Sequence, residues 1–486
     1  MKFTEKIKSF FKPVDLTQGS PIKSLLIFMV PILLSLIFQQ IYTISDAAIV
    51  GQTLSKAEVA GVNDVYSLFF IVIQFAFGCT AGFSVVTSKK AGANDKDGIR
   101  KSFATQIALS IIVSIILTVV VLPLTPQLLK IIGIEPTNEV YEYAYGYLFV
   151  IYAGLFTQVF YNLIVSVLRS IGDSLAPLLF LIGSTILNIG LDFLFIVTLK
   201  WGVKGAAFAT ILAQFLAALV SFIYSFKKYS YLRVKLSDFK LNWKDVLEHI
   251  KLGLPLAFQF SILAIGLIIL EKAVIKFDVS GVQDAQVGYG AAVKFNDFMM
   301  TPFNALGAAC LSYNGQNYGA GDSKRIKAGF KASMILMFIF YITFGGATIL
   351  LSINGLYTKF FLSDSSLNDR VKFYASTYMY IDASLYFILG LLFVFRNTLQ
   401  GLGKPIYPFI SGVSELIGRA VICIFMPRLV DPSNPTSDKA FIGLCFSDSM
   451  AWLLAIIVMS YGIVKYIIKN KIEDEFHSLK DSKENN

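Results

Sequence analysis

Asp46 closes an apolar run that begins at Leu25 and carries no other charged side chain. A carboxylate in hydrocarbon costs several kcal/mol unless it is protonated, ion-bound or turned to a polar cavity, so an intramembrane acid points to function. Gln39 lies two helical turns before Asp46 and on the same face, and Pro31 interrupts the backbone ladder about four turns before it. A proline, a polar stripe and an acid on one helix read as moving parts; the competing reading is a helix end whose Asp snorkels to the interface. Asn188 and Asp192 stand four apart and so share a helix face, where the amide can hydrogen-bond an acid in either protonation state. Asp192 capping or pairing near a helix end is the alternative there. Tyr378 and Asp382 repeat the four-residue spacing, and Glu271 is a further acid at the end of an apolar stretch. Glu271 lies beside Lys272 and close to Lys276, so an ion pair at the membrane edge competes with a functional role. Lys294 and Asp297, three apart, read as an internal ion pair or as cleft-lining charges, and Glu415 and Arg419, four apart, read as a salt bridge on one face.

The elements that must carry these residues are long and apolar. The chain has 486 residues, 55% hydrophobic and 15% charged. Soluble domains carry about 25% charged residues. Twelve apolar stretches of roughly 20 to 25 residues, each long enough to cross a bilayer core of about 30 Å, fall near residues 22–46, 59–85, 102–125, 143–168, 175–198, 203–226, 247–273, 285–312, 328–352, 373–398, 407–428 and 441–466. The expected fold is therefore an all-α membrane protein. Net charge is +10, but most Lys and Arg residues sit in the tails and alternate loops, among them Lys89, Lys90, Lys96, Arg100 and Lys101, then Lys227, Lys228, Arg233, Lys235, Lys240 and Lys244. That asymmetry places both termini in the cytoplasm and explains the basic charge by topology, without a nucleic-acid partner.

The sequence also contains itself twice. Pro31 in FMVPILLS answers Pro255 in LGLPLAFQ at an offset of 224; Gly92 in AGANDKDGIRKS answers Gly319 in YGAGDSKRIKAG at 227; Gly172 and Pro177 answer Gly403 and Pro408 at 231. Six spans per half make parallel repeats, and two six-helix lobes should leave a central cleft. The expected organisation is an amphipathic N-terminal segment at the inner membrane surface (1–20) rather than a cleavable signal, an N-lobe (21–228), a cytoplasmic linker with an interfacial helix (229–246), a C-lobe (247–466) and a solvated, irregular tail (467–486). Glu271 answers Asp46 at an offset of 225, nearly the same place in its repeat. The positions that answer Asn188 and Asp192, however, are Arg419 and Cys423, so the acid pair is not duplicated and the lobes must do different work.

Several function classes recede. The glycine loops GIEP, GAGD and RSIGDS lack the G-x-x-x-x-G-K-[ST] spacing, so no nucleotide is expected and transport should draw on an ion gradient. Cys79, Cys310, Cys423 and Cys445 sit in apolar spans without ligand spacing, and His249 and His477 are far apart, which argues against zinc. No paired acids of the DxxD kind favour a membrane transferase, so the expectation is not an enzyme and no cofactor beyond a coupling ion.

The stretches QQIYTISDAAIVG, LRSIGDSLAP with ILNIGLDFLFI, WGVKGAAFATILAQ and YNGQNYGAGD, spread over about residues 15 to 466, resemble the multidrug and toxic compound extrusion (MATE) transporters. The resemblance implies twelve transmembrane helices in two pseudo-symmetric six-helix lobes around a central cleft, and an antiporter that exports organic, mostly cationic amphiphiles in exchange for H⁺ or Na⁺. It implies a cation-coupling site in the N-lobe at Asp46, Asn188, Asp192 and Thr210, with Na⁺ or a proton at Asp46 and Asp192, because two facing carboxylates in low dielectric do not both ionise cheaply. A C-lobe site at Glu271, Tyr378 and Asp382 is implied by the sodium-coupled members. Pro31 and Gln39 would gate helix 1, and Lys294 and Asp297 would line the cleft. A plasma-membrane monomer surrounded by lipid is the expected form. A lipid-linked saccharide or lipid flippase of the wider superfamily is the alternative; those carry cationic cavities, whereas the charges inside these spans are mostly acidic.

Overall fold

The computed structural model describes residues 12–278, 282–363 and 366–484, and among these every regular element is helical. The spans are α1 (Pro21–Thr53), α2 (Lys56–Gly92), α3 (Lys96–Ile131), α4 (Tyr141–Ala153 and Leu155–Ser170), α5 (Leu175–Thr198), α6 (Gly202–Lys228), α7 (Trp243–Ile275), α8 (Asp284–Gly319), α9 (Ser323–Phe360), α10 (Asp369–Ser384 and Tyr386–Gly401), α11 (Ile406–Val430) and α12 (Asp438–Ile468). A further helix, α13 (Lys471–Glu484), follows. Nine of these are apolar enough to cross a membrane by composition, and α4 and α10 join them as bent pairs. The twelfth, α8, does not stand out by hydropathy, and Lys294, Asn296 and Asp297 fall in its first half.

The repeat seen in the sequence is written into the turns. Asp95 caps α3 by accepting from the Gly98 amide at 2.8 Å, and Asp322, at the offset of 227, caps α9 by accepting from the Arg325 amide at 2.8 Å. Asn94 and Gly321, at the same offset, both take positive φ before the cap. Gly172 and Gly403, at the offset of 231, also take positive φ, the conformation for which glycine has no Cβ penalty. Most telling, α4 bends by 48° at Gly154 and α10 by 55° at Leu385, again at an offset of 231.

The chain divides into two compact units. The first holds residues up to Gly19, Leu26–Ser261 and Gly315–Ala320; the second holds Ser20–Leu25, Ile262–Asn314 and Gly321 onward. The first unit therefore includes the opening turns of α7 and the last turn of α8. Within it α2 meets α7 at glycines: a Cβ on Gly82 would stand 2.5 Å from the Gly253 Cα, and one on Gly78 would stand 2.5 Å from the Ala257 Cα. Small residues four apart let helix backbones touch where apolar lipid gives no hydrophobic drive to association. Residues 12–19 form a strap across the same unit, while residues 1–11 of the expected amphipathic segment lie outside the described residues. Leu16 is wholly buried, its carbonyl accepts from Asn317 Nδ2 at 3.0 Å, and the Val14 amide donates to the Gly172 carbonyl at 2.9 Å.

Two expectations change. The 229–246 segment holds no separate interfacial helix; it makes two short 3₁₀ turns and enters α7 at Trp243. The reason is an anchor. Asp238 accepts from the Lys235 amide at 2.7 Å and from Arg100 Nε of α3 at 3.0 Å, tying the segment to the helix beneath. The tail is not irregular either: Ile472 and Phe476 of α13, one turn apart, are buried, and Lys404 holds Glu475 at 2.7 Å.

Gly82→Val should lower the melting temperature of the purified protein by several degrees, since overpacking costs about 1–3 kcal/mol. Gly183→Ala, where a Cβ meets nothing within 4 Å, should leave it unchanged. Burial pushes the Asp238 carboxyl up, but the Lys235 amide and the Arg100 guanidinium outweigh it and hold it below the ordinary carboxylate range. A carboxyl depressed on folding stabilises the fold above its unfolded pKa of about 3.9 and loses that contribution as pH falls through the folded value. Asp238→Asn should therefore cost stability near neutrality and flatten the acid limb of a melting-temperature profile against pH.

Candidate cation site in each lobe

In the first lobe the site begins on α1, where Tyr42 and Asp46 occupy successive turns of one face. Asn188 and Asp192 on α5 are both fully buried. Directly after Asp192 the helix widens into a π turn, Phe193–Thr198, a feature that recurs at functional sites because it re-aims neighbouring side chains. Buried alanines 206, 207, 209 and 213 let α6 lie close against its neighbours and bring Thr210 to the site. There the Tyr42 hydroxyl donates to Thr210 Oγ1 at 3.3 Å. Val50, Ile196 and Ala206 form a small apolar cluster that fixes the ends of α1, α5 and α6 just beyond Asp46.

The carboxyl groups of Asp46 and Asp192 face each other within hydrogen-bonding reach. An ionised carboxylate only accepts, so this contact requires a proton or a cation between them. Asp46 Oδ1, both Asp192 oxygens and both Asn188 side-chain atoms are buried without a hydrogen-bond partner. Buried polar groups are nearly always satisfied. The orphaned set holds four oxygens and one donor, Asn188 Nδ2. Tyr147 of α4 lies in the electrostatic field of Asp46 and Asp192 and completes the surround.

The second lobe assembles its charges differently. Asn296 Nδ2 of α8 donates to Asp382 Oδ2 at 2.9 Å, and Tyr386 donates to Asn296 in turn. Tyr378 does not bond Asp382; its hydroxyl donates to Asp448 of α12 at 2.6 Å. Arg419 of α11 donates to the other Asp448 oxygen through Nε at 2.8 Å and Nη2 at 2.5 Å. Glu415 pairs with Arg396 of α10. Arg396, Glu415, Arg419 and Asp448 are all buried.

The profile of the MatE family matches residues 31–194 and 255–425, most of the chain, and its two segments begin at Pro31 and Pro255. The chain belongs to the MATE family of multidrug efflux transporters. It is similar to the probable multidrug resistance protein YoeA of Bacillus subtilis (strain 168), 23% identical over 456 residues that cover 92% of this chain and 94% of that one. It is also similar to the probable multidrug resistance protein YpnP of the same strain, 28% identical over 319 residues, 65% of this chain and 69% of that one. Its fold is that of a multidrug resistance MATE family transporter of the MOP superfamily solved in an outward-facing conformation, with a TM-score of 0.81 at 22% identity, covering 97% of this chain and 99% of that chain. MATE structures carry twelve helices in two lobes. Members of the family are transporters rather than enzymes, and the chain is a multi-pass membrane protein.

Of the residues expected from the sequence, this MATE chain brings Asp46, Asn188, Asp192 and Thr210 into one site and places Tyr378 and Asp382 in a second. Glu271 is exposed on α7 and, among the described residues, makes neither a hydrogen bond to Tyr378 or Asp382 nor an ion pair with Lys272 or Lys276. Lys294 and Asp297 are exposed and do not pair with each other, and Gln39 is exposed while Pro31 is half-buried. The expected Glu415–Arg419 bridge is replaced: each turns to a partner on another helix, Arg396 and Asp448, because side chains on a buried face reach across packed helices as readily as along one. Tyr42, Tyr147, Arg396 and Asp448 were not singled out from the sequence. A signal existed for two of them, since Tyr42 is one turn before Asp46 and Tyr147 answers Tyr378 at an offset of 231. Asp448 had none. Asp448→Asn should destabilise the protein by about 3–5 kcal/mol by stranding the Arg419 guanidinium, while Asp448→Leu with Arg419→Met should recover most of the melting temperature.

Proposed function

We propose that this chain is a cation-coupled antiporter, exporting organic, mostly cationic amphiphilic compounds in exchange for H⁺ or Na⁺ by alternating access. One observation carries the reading: the Asp46–Asp192 pair, whose facing oxygens lack donors inside an apolar helix bundle. Two close carboxylates in low dielectric hold at least one proton or counter-ion near neutral pH. The set of carboxylates, the Asn188 amide oxygen and the Tyr42 and Thr210 hydroxyls offers the oxygen ligands that a hard cation takes. A membrane potential of about 100 mV is worth roughly 2.3 kcal/mol per net charge moved, so one-for-one exchange of a monocation draws on the concentration gradient of the coupling ion.

The coupling runs through α1. Pro31 has no amide hydrogen, so the Ile27 carbonyl lacks its usual helical donor, and the Ser35 hydroxyl donates to the Pro31 carbonyl at 2.8 Å. Cation binding at Asp46 shifts or bends α1 about this weak point and releases cargo. Aromatic residues make up 14% of the chain and suit flat cations through cation–π and dispersion contacts; the relatives named as multidrug resistance proteins fit cargo of that kind. The charge asymmetry of the loops favours a plasma-membrane protein with cytoplasmic termini, and both lobes on one chain make a monomer sufficient.

The test is efflux of an organic cationic dye from vesicles under separately imposed proton and sodium gradients, for the wild type and Asp46→Asn. Wild-type efflux under one gradient, lost in a folded Asn variant, is the expected result and names the ion. Equal transport by both would make Asp46 structural. Dye retention by both would bring the flippase reading forward.

A further inference from the structure

The repeat relates some positions of the two charge clusters but not their acids: Asp192 answers Cys423, and Asp382 answers Ile151. At the offset of 231 that links the bends of α4 and α10, Tyr147 answers Tyr378 and Asn188 answers Arg419. The first lobe thus offers two carboxylates, Asp46 and Asp192, with a neutral amide on α5 where the other lobe has a cation. The second offers Asp382 and Asp448, within electrostatic reach of each other and of a guanidinium rooted at the α11 position that answers the amide.

The charges are then equivalent in one state only. Asp46 with Asp192 amount to −2 only if both are ionised, and one bound proton or monovalent cation brings the pair to −1. Asp382 with Asp448 and Arg419 amount to −1 when both acids are ionised, Arg396 and Glu415 cancel each other beside them, and Asp297 also lies in the field of Asp448. A second position supports the exchange. Gly266 of α7 answers Tyr42 of α1 at the offset of 224 that links Pro31 and Pro255. A Cβ at Gly266 would collide with Arg419 Nη1. Where α1 carries a tyrosine that hydrogen-bonds Thr210, α7 carries nothing, and the guanidinium fills the space. Arg419 Nη1 is itself buried without a hydrogen-bond partner, so it is not held there by a third donor–acceptor bond; its room is made by the glycine and its position by Asp448.

We propose that Arg419 is a tethered counter-ion, standing in the second lobe where an exchangeable monovalent cation stands in the first, so that the second lobe binds no coupling ion while the guanidinium is present. This rests on the reading of the Asp46–Asp192 pair as the coupling site and assigns Arg419 as the residue that confines coupling to that lobe. Removing the guanidinium leaves Asp382, Asp448 and the Tyr378 hydroxyl as a vacant oxygen site that Na⁺ can enter.

The experiment uses purified full-length protein in which Asp46→Asn and Asp192→Asn have removed the first-lobe carboxylates, with melting temperature and ²²Na⁺ binding measured in NaCl and in choline chloride. With Arg419 intact, this background should show no Na⁺-specific shift and no bound ²²Na⁺. Adding Arg419→Gln should lower the melting temperature in choline chloride and restore it by several degrees in NaCl, with ²²Na⁺ now retained; Arg419→Lys, which keeps a charge, should behave like the background. Specific ²²Na⁺ binding with Arg419 intact would overturn the proposal, and this arm needs no Arg419 variant to fold. A monodisperse Arg419→Gln protein that responds equally to both salts would overturn it too, leaving Arg419 as a structural ion pair. Neither result depends on dye efflux, so a failure of the coupling reading at Asp46 is seen separately, as unchanged transport by Asp46→Asn.

Discussion

A carboxylate enclosed by apolar helices must be given a proton or a positive charge, and the structure of this MATE chain is organised around meeting that requirement in two ways. Both lobes bring two acids together among packed helices. In the first, the oxygens of Asp46 and Asp192 face one another with no donor supplied by the described residues. In the second, Asp448 takes the Arg419 guanidinium at 2.5 and 2.8 Å and Asp382 takes the Asn296 amide. Removing an ion from water costs several kcal/mol even after relaxation, so the unpaired oxygens of the first lobe contrast with acids in the second that other side chains hold. A cluster that is completed by its own side chains can be static.

The scaffold that carries these clusters is symmetric, and the asymmetry lies in side chains. Capping aspartates at 95 and 322, positive-φ glycines at 172 and 403 and the breaks at 154 and 385 recur at nearly fixed offsets. Backbone devices of this kind set where helices end and bend, and they are indifferent to what the buried faces hold. The faces have diverged: Asn188 against Arg419, Tyr42 against Gly266. A glycine that removes a side chain and an arginine that fills the gap form a volume-conserving exchange across two helices, the kind of change a close-packed interior tolerates.

Local backbone features also serve the first site. A π turn follows Asp192, the alanine-rich face of α6 is buried, and Pro31 leaves a gap in the α1 hydrogen-bond ladder.

Much of this was legible in the sequence because it depends on the chain alone. Apolar length decides that helices cross a membrane, since every backbone polar group in lipid must be satisfied within its own segment, and a duplication at constant offset decides that there are two similar lobes. The four-residue spacing of Asn188 and Asp192 put them on one face of α5, and the resemblance to MATE proteins added Asp46 and Thr210. What only tertiary structure decided is which charges meet across helices. Glu415 and Arg419 read as partners along α11, yet each found another, and Asp448 gave no local sign of its role. The tail likewise reads as solvated by composition and becomes helical because Ile472 and Phe476 find a surface to bury against. Helix periodicity is a property of neighbours in sequence. The pairing of a buried charge is a property of neighbours in space, and in this chain such neighbours are as far apart in sequence as Arg419 and Asp448, or Asp46 and Asp192.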